Sequence, residues 1–380
     1  MTLDILFAAE SLLPARGGAE RFALELLGEL ARRGHRVRAL WLSGSGDAAA
    51  AVRVLPPGVE GRELPAPPRA PRRYWAAIDA RRAVLATAVR EAPAPDVAVT
   101  QLHGAPAALE ARAPFVVLLP SYESLCKVAH GPGAEVLADG VRPVCPPPRD
   151  CVACPLAEAD AGPARRAQDA ALAGAHSLLA CSGAVAAAAR AWSGHEHVIA
   201  LGCVAAPPAA QGARAGHVLL ASGGWGPHKG EALLEPIVTA LRDRDVVVTA
   251  GGLAGATARR LTALGAELRD APIAAALDGA HACIVPSQWP EPFGRVAFEA
   301  QACGVPVIAP RTGGLAEHVA PGGLLAPTAG PGDYVAAVWL LDDASAWAYA
   351  SVAARAAAGA VLATEPLVRT ADAVEAAAAS

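Results

Sequence analysis

The feature that most constrains the fold is the regular alternation of short apolar runs with segments of helical periodicity. The apolar runs are nearly continuous, which is typical of parallel strands that helices cover on both faces. The longer runs lie at residues 3–9, 37–42, 96–101, 115–119, 177–182, 198–204, 218–221, 245–250, 281–285 and 307–309. This pattern predicts an α/β protein built from two doubly wound parallel sheets.

The length of the chain also indicates two domains. It has 380 residues, which is too long for one average domain and suits two. Residues 207–211 are rich in Pro and Ala and are typical of a linker. We therefore predict a first domain over residues 1–207, with a cysteine-rich insert at 126–154, and a second domain over residues 208–363.

One strand-to-helix corner, residues 286–300, carries the most informative chemistry. Glu291 lies in the loop before the predicted helix, and Glu299 lies inside the first turns of that helix. The amino end of a helix suits an anionic ligand, because unpaired N–H groups and the positive end of the dipole face it. A carboxylate suits sugar hydroxyls, because it accepts two of their hydrogen bonds at once.

This corner resembles the E-x7-E signature of retaining glycosyltransferases of family 4. The resemblance rests on Glu-Pro-Phe-Gly from Glu291, on Glu299, and on Thr-Gly-Gly-Leu-Ala-Glu from Thr312. It covers nearly the whole chain and implies the GT-B fold, in which two Rossmann-like domains face a cleft. It also implies that a C-terminal helix, about residues 364–380, crosses back to the first domain.

A glycine-rich loop opens the second half of the chain and ends at Lys229, one of only two lysines. The ammonium of Lys229 can pair with a diphosphate as a compact point charge. The family places an Arg at the start of this loop, but here Gly223 and Gly224 stand in its place. Backbone N–H groups, or Arg295 from the corner, are the expected substitutes.

The resemblance implies a site for a nucleotide-diphosphate sugar and assigns roles within it. Lys229 would stabilise the departing diphosphate, Glu291 would lie against the donor sugar, and Glu299 would bind the ribose hydroxyls. Lys229 and Glu291 are the predicted catalytic residues, and no catalytic metal or other cofactor is required. The predicted donor-binding residues are Gly17, Gly18, Gly223, Gly224, Lys229, Glu291, Phe293, Gly294, Arg295, Val296 and Glu299.

The acceptor side departs from the family pattern. Members often carry a His-Asp pair after the strand that corresponds to residues 115–119, but this chain has Pro120 and Ser121 there. Another group must then face the acceptor, or the acceptor needs no such contact. The candidates are His103, Ser121, Tyr122 and Glu123.

A helical segment at residues 73–90 is rich in arginine. A basic patch for an anionic acceptor or a membrane surface is one interpretation. Arginine replaces lysine almost throughout this chain, so a solvated helix face is the interpretation we prefer. Peripheral contact with a membrane is therefore not expected.

Eight cysteines fall into two groups. Four stand singly in apolar segments and are predicted to be small core residues, namely Cys181, Cys203, Cys283 and Cys303. The other four lie in a segment rich in Pro and Gly that cannot build its own core, namely Cys126, Cys145, Cys151 and Cys154. They are candidate ligands for a structural zinc, and an iron–sulfur cluster, a disulfide or free thiols are the alternatives.

Charge and hydropathy exclude other classes of function. The net charge of −4 gives no reason to expect a nucleic-acid partner. We see no signal peptide and no uninterrupted apolar run long enough to span a bilayer, so we expect a cytoplasmic protein.

The predicted function is transfer of a sugar, with anomeric retention, to an acceptor, which could be a small molecule of specialised metabolism. The alternatives are a phosphorylase, an epimerase, or a non-catalytic partner that binds sugar nucleotides.

Overall fold

The computed structural model describes residues 1–12, 18–42, 55–67, 74–101, 104–122, 125, 135–137, 140–142, 161–204, 207 and 209–380. The chain divides into two compact units. The first contains the described residues of 1–129, 145–205 and 365–380, and the second contains those of 130–144 and 206–364. The C-terminal residues therefore belong to the first unit.

The strands of the described chain are short and mostly buried. They are β1 (Asp4–Ala9), β2 (Arg36–Leu42), β3 (Val59–Leu64), β4 (Val97–Gln101), β5 (Phe115–Leu119), β6 (Glu135–Leu137), β7 (Gly140–Arg142), β8 (Ser177–Ala180), β9 (Val198–Ala200), β10 (His217–Leu220), β11 (Val246–Thr249), β12 (Glu267–Arg269), β13 (Ala280–Ile284), β14 (Val307–Pro310) and β15 (Leu324–Leu325). β6 and β7 form an antiparallel pair, and every other pairing is parallel.

The helices connect successive parallel strands or cover their faces. They are α1 (Gly18–Arg32), α2 (Tyr74–Glu91), α3 (Ala105–Ala108), α4 (Ala161–Gly174), α5 (Gly183–Ser193), α6 (Glu231–Ala240), α7 (Gly255–Ala263), α8 (Ile273–Leu277), α9 (Arg295–Ala302), α10 (Leu315–His318), α11 (Pro331–Leu340), α12 (Ala344–Leu362) and α13 (Pro366–Ala378). The strand–helix alternation predicts this α/β class correctly.

The first unit is built on a seven-stranded sheet in the order β3-β2-β1-β4-β5-β8-β9. Its core joins strand residues such as Ile5 and Phe7 to α1 residues such as Leu26 and Leu27, which have no exposed surface. Burying each such side chain contributes about 1.5–3 kcal/mol. The strand order reverses between β1 and β4, so a crevice is expected at their carboxyl ends.

Helix α13 completes the core of the first unit. Val374 and its apolar neighbours on α13 belong to the same buried cluster as the strands. At the rim of this cluster Arg33 donates to Asp372 and Glu375 over 2.7 and 2.8 Å. The helix is therefore held in the first unit by both apolar burial and ion pairs.

Two arginines of α2 are buried, which corrects the prediction of a solvated basic face for this helix. Arg81 and Arg82 are 3% and 5% exposed. Arg81 donates to the Glu10 carbonyl oxygen over 3.3 Å, and its Nε lies 3.7 Å from the Glu10 carboxylate. Arg82 donates to Gln168 over 2.6 Å. Burial is tolerated because each guanidinium has charged or polar acceptors around it.

The second unit is built on a six-stranded parallel sheet in the order β12-β11-β10-β13-β14-β15. Helices α6 and α11 and part of α12 pack over one apolar face, and α8 and α9 pack over the other. Its strand order reverses between β10 and β13. The loops that follow these two strands therefore meet at the carboxyl edge of the sheet, where ligands bind in sheets of this kind.

One helical stretch of the described chain, Ala344–Ala378, is apolar and long enough to cross a membrane by length and composition alone. The sequence pattern did not predict this stretch as a membrane-spanning candidate. A single helix of this kind is a weak indication of a membrane span, although only 17% of its most apolar window is buried. Here Glu365 separates the stretch into α12 and α13, and α13 packs in the core of the first unit.

The four single cysteines are buried, which confirms their prediction as core residues. The four candidate metal ligands, Cys126, Cys145, Cys151 and Cys154, lie outside the described residues. Among the residues that are described, no group of three or more His, Cys, Asp or Glu side chains could hold a metal ion.

Candidate functional site

The glycine-rich loop after β10 and the corner after β13 meet at the strand reversal of the second unit. Gly230 has a φ of 78°, and a Cβ at this position would overlap the carbonyl oxygen of Pro286. Only glycine allows the two backbones to come so close. Gln288 N donates to the His228 carbonyl oxygen over 2.9 Å, which ties the two loops together beside Lys229.

Glu291 lies in this corner and is surrounded by hydrogen-bond donors. The Lys229 ammonium lies 2.5 and 2.7 Å from its two carboxylate oxygens. Ser287 Oγ donates to Oε2 over 2.7 Å, and Trp289 Nε1 donates to the same oxygen over 3.1 Å. The carboxylate is thus held in one position by three side chains.

The protonation state of Glu291 follows from these contacts. Burial alone would raise the pKa of its carboxyl group, because it penalises the charged form. The charge of Lys229 and the hydrogen bonds from Lys229, Ser287 and Trp289 outweigh burial and lower the pKa below its usual value. Glu291 is therefore a carboxylate at neutral pH.

Trp289 contacts both members of the Lys229–Glu291 pair. The Lys229 ammonium lies 4.8 Å from the centre of the Trp289 ring, within cation–π range. The His228 ring meets the same indole edge-on at 5.0 Å. Burial and the nearby Lys229 charge lower the pKa of His228, so its ring is neutral at neutral pH. Lys229 is therefore the cation that this cluster offers to a ligand.

Helix α9 begins within this corner, directly after Gly294. Its N-cap, Gly294, has a φ of 89° and turns the chain into the helix. Glu299 lies on the second turn and is 6% exposed, with Arg295 Nε 3.7 Å from its carboxylate. Phe293 is buried and Val296 is partly buried beside them. The predicted donor residues of the corner therefore lie together at the amino end of one helix.

The segment after β14 packs tightly against the corner. Gly314 N donates to the Glu291 carbonyl oxygen over 2.7 Å, and Thr312 Oγ1 donates to the Trp289 carbonyl oxygen over 3.2 Å. A Cβ at Gly313 or Gly314 would overlap backbone atoms of the corner. These glycines permit the contact that fixes the backbone of Glu291.

The glycine-rich loop itself leaves open space. A Cβ at Gly223 or Gly224 would meet no atom within 4 Å. The loop is ordered by Ser222, whose Oγ accepts from Gly224 N over 3.2 Å. Neither residue has a φ in the left-handed region. Packing within the protein therefore does not require glycine here, whereas close approach of a ligand would.

The predicted residues of the first unit lie at the carboxyl edge of its own sheet. Gly18 begins α1 after β1, and Ser121 and Tyr122 follow β5. Tyr122 is buried, with 6% of its surface exposed. The predictions for Gly17, His103 and Glu123 fall outside the described residues.

Sequence reasoning missed the residues that hold Glu291. Ser287 and Trp289 stand four and two positions before it, within the same corner. A buried carboxylate requires donors, and these neighbours are among the local side chains able to donate. That requirement could have identified both residues. The direct pairing of Lys229 with Glu291 had no such local signal.

Comparison with known families gives two matches. The family model described as "Glycosyltransferase Family 4" matches residues 16–120. The family model described as "Glycosyl transferases group 1" matches residues 216–343, which include both loops of the site.

Curated relatives match parts of the chain. A D-inositol 3-phosphate glycosyltransferase of Corynebacterium glutamicum is 40% identical over 139 residues, covering 31% of this chain and 33% of that protein. One from Nocardiopsis dassonvillei is 39% identical over 124 residues, covering 28% of this chain and 29% of that protein. The chain thus spans a third or less of the length of these relatives.

Solved structures match over almost the whole chain. Sucrose-phosphate synthase from Thermosynechococcus elongatus has a TM-score of 0.71 at 20% identity, covering 97% of this chain and 99% of that one. Anabaena HepE, solved with UDP and glucose, has a TM-score of 0.70 at 18% identity, covering 98% and 100%. At these identities the likeness establishes the fold, which is GT-B.

Proposed function

Because this chain belongs to glycosyltransferase family 4, we propose that it transfers a sugar from a nucleoside diphosphate sugar to a hydroxyl group of a small acceptor, with retention of anomeric configuration. The observation that carries the proposal is the Lys229–Glu291 pair at the strand reversal of the second unit. A cytoplasmic location remains part of the proposal.

The geometry around Lys229 suits a diphosphate. An ammonium has three N–H donors, and Glu291 takes two of them, which leaves the third for a phosphate oxygen. Glu291 holds the ammonium in place before the ligand arrives, so little reorganisation accompanies the reaction. A fixed positive charge where negative charge develops is usually the largest contribution to catalysis.

Neighbouring residues on α9 are proposed to bind the parts of the nucleotide sugar that Lys229 does not contact. Glu299, on α9, would accept hydrogen bonds from the ribose hydroxyls through its carboxylate. Arg295 is beside it and would supply the cation that the glycine-rich loop lacks. UDP is the nucleotide we favour, because HepE structures contain UDP or UDP-glucose.

Glu291 is poorly suited to act as a nucleophile. Its lone pairs are engaged by Lys229, Ser287 and Trp289, and its pKa is lowered. We therefore propose a front-side route. The acceptor oxygen bonds to the anomeric carbon on the face that the diphosphate leaves, and the departing phosphate oxygen takes the proton of the acceptor hydroxyl.

The acceptor is proposed to be a small polyol or a related metabolite. The curated relatives are named for D-inositol 3-phosphate, which makes inositol phosphates the first compounds to test. A small molecule of specialised metabolism is the alternative acceptor.

The test of function is release of UDP from UDP-sugars with and without each acceptor, with the product anomer assigned by NMR. Acceptor-dependent release with retention supports the proposal. Inversion contradicts retention. Formation of a sugar 1-phosphate from a glycoside and inorganic phosphate, with no nucleotide consumed, indicates a phosphorylase instead. Nucleotide-sugar binding with no turnover on any acceptor favours the non-catalytic alternative.

Gly224→Ala is expected to leave the melting temperature nearly unchanged and to raise the KM for the donor about tenfold. The reason is that a methyl group at this position meets only open space in the protein but would meet a bound diphosphate. Steady-state kinetics and thermal unfolding measure the two effects. Gly332→Ala is the control, because a Cβ there also meets nothing within 4 Å. An unchanged donor KM in Gly224→Ala would place the diphosphate elsewhere.

The structural metal remains a prediction for Cys126, Cys145, Cys151 and Cys154. Purified protein is expected to contain about one equivalent of zinc, because four thiolates fill the tetrahedral shell of the ion. Elemental analysis measures it. Less than about half an equivalent of any transition metal would contradict the prediction.

A further inference from the structure

A second polar network lies behind the Glu291 corner. It joins His318, the last residue of α10, to Gln301 of α9 and to the backbone of Phe293. His318 is 6% exposed and Gln301 is fully buried. The roles of Lys229 and Glu291 do not account for this network, and polar groups this deeply buried must be paired.

The contacts of His318 are directional. Its Nε2 lies 2.6 Å from the Phe293 carbonyl oxygen, and its ring stacks on the Phe293 ring with centroids 4.6 Å apart. A carbonyl oxygen only accepts hydrogen bonds, so Nε2 carries the proton and donates. Ring and backbone of Phe293 are thus both held by one side chain.

Gln301 sets the tautomer of His318. The Gln301 Oε1 accepts from Ala320 N over 2.8 Å, so its amide nitrogen must face the other way. That nitrogen donates to the His318 carbonyl oxygen over 3.0 Å and faces Nδ1 at 3.4 Å. A nitrogen that faces a donor must be an acceptor, so the imidazole is neutral with its proton on Nε2. Burial also lowers the pKa of His318, which agrees with a neutral ring.

The orientation of one peptide group follows from this contact. The peptide that joins Phe293 to Gly294 is planar and trans, so its C=O and N–H point in opposite directions. His318 holds the carbonyl, and the Gly294 N–H therefore points away from His318. Gly294 is the N-cap of α9, with a φ of 89°. Glycine has no Cβ to restrict rotation of the chain at this point, so a restraint must come from its surroundings.

We infer that His318 is a positioning residue for the donor: through the Phe293 carbonyl it aims the Gly294 N–H and fixes the turn that carries Glu291. This inference rests on the proposed function, in which that turn contacts the donor sugar. The turn is then held at two points, by Gly314 N on Glu291 and by His318 on Phe293. His318 acts through the backbone and need not touch the substrate.

Two substitutions separate the effect of the imidazole N–H from the effect of the ring. His318→Phe keeps a ring to stack on Phe293 but removes the N–H donor. His318→Gln loses the ring but places an amide N–H at a similar reach. The inference predicts that His318→Phe lowers kcat/KM for the donor about 10- to 100-fold, because small misplacements at a reacting centre have effects of this size. His318→Gln should recover most of that loss.

His281→Phe is the matched control. His281 is also buried, with 2% of its surface exposed, bonds a backbone carbonyl, that of Arg214, and stacks on Trp347. It lies at the start of β13, whereas Glu291 follows the other end of that strand. This control should lower the melting temperature without changing kcat/KM of the folded protein.

A readout that needs no ligand accompanies the kinetics. Hydrogen–deuterium exchange over residues 291–298 should rise in His318→Phe and not in His281→Phe. Unchanged exchange and unchanged kcat/KM in His318→Phe overturn the inference, as does an equal loss of kcat/KM in His318→Phe and His281→Phe. If the wild type binds a UDP-sugar but transfers nothing, the proposed function fails, and His318 is then judged by the exchange data and by the Kd for that UDP-sugar.

Discussion

Replacing Lys229 with Met is expected to lower kcat by about 10²- to 10³-fold, the usual cost of removing one preorganised group that stabilises transition-state charge. Met keeps the length and most of the volume of the side chain and removes the cation. In the proposed reaction negative charge grows on the departing diphosphate, and Lys229 is the cation held beside it by Glu291. Steady-state kinetics with a saturating acceptor measure the loss.

Two further variants sharpen this prediction. Lys229→Arg keeps the charge but not the compact ammonium, so its kcat should lie between those of Lys229→Met and the wild type. Arg260→Met removes a cation from an ion pair with Glu235 on the surface of the same unit and should leave kcat unchanged. A folded Lys229→Met protein with kcat within about threefold of the wild type would show that another group stabilises the charge of the departing diphosphate.

Glu291→Gln is expected to destabilise the protein by about 3 kcal/mol at pH 7, because it leaves the partly buried Lys229 ammonium without its counter-ion. For a unit of this size the melting temperature should fall by about 6–12 °C. The amide also turns a nitrogen toward groups that donate, namely Lys229, Ser287 or Trp289. Thermal unfolding of the full chain measures the effect.

The pH dependence of this loss has a definite sign. The pKa of Glu291 is lowered in the folded protein, so its contribution is present above the pKa of the unfolded carboxyl, about 4.3. It is lost as the pH falls through the lower, folded pKa. The difference between wild type and Glu291→Gln should therefore be full at pH 6–7 and shrink in acid below about pH 4.

Glu267→Gln is the control for the Glu291 prediction. Glu267 pairs with Arg269 on β12, but its side chain is 58% exposed, and exposed pairs contribute little to stability. Its melting temperature should stay close to that of the wild type at every pH. A Glu291→Gln protein that behaves like this control would mean that the buried pair does not stabilise the folded state.

Much of the fold could be predicted from local patterns. The apolar run at residues 281–285, the loop with Glu291 and the helix that contains Glu299 appear in the structure as β13, the corner and α9. Periodicity and turn chemistry extend over a few residues, so they can be recognised without knowledge of the rest of the chain. The glycine-rich loop before Lys229 is a signal of the same kind.

Local patterns failed where a residue's environment depends on distant partners. The arginines of α2 suggest a solvated face, yet Arg81 and Arg82 are buried, because Glu10 and Gln168 supply acceptors from other parts of the first unit. His318 likewise has no signature of its own. Its role depends on Gln301 and Phe293, which reach it only when α9 and α10 pack together.

The chemistry available at the site follows from the order of the amino acids: two carboxylates on a strand-to-helix corner, and a scarce lysine at the end of a glycine-rich loop. The ion pair between Lys229 and Glu291, which are 62 positions apart, follows from the folded arrangement of the strands. The strand order places β10 beside β13, and Gly230 lets one loop approach the Pro286 carbonyl of the other. Side chains far apart in a chain meet because of strand order and close backbone approach. Neither can be predicted from the residues that flank these side chains in the sequence.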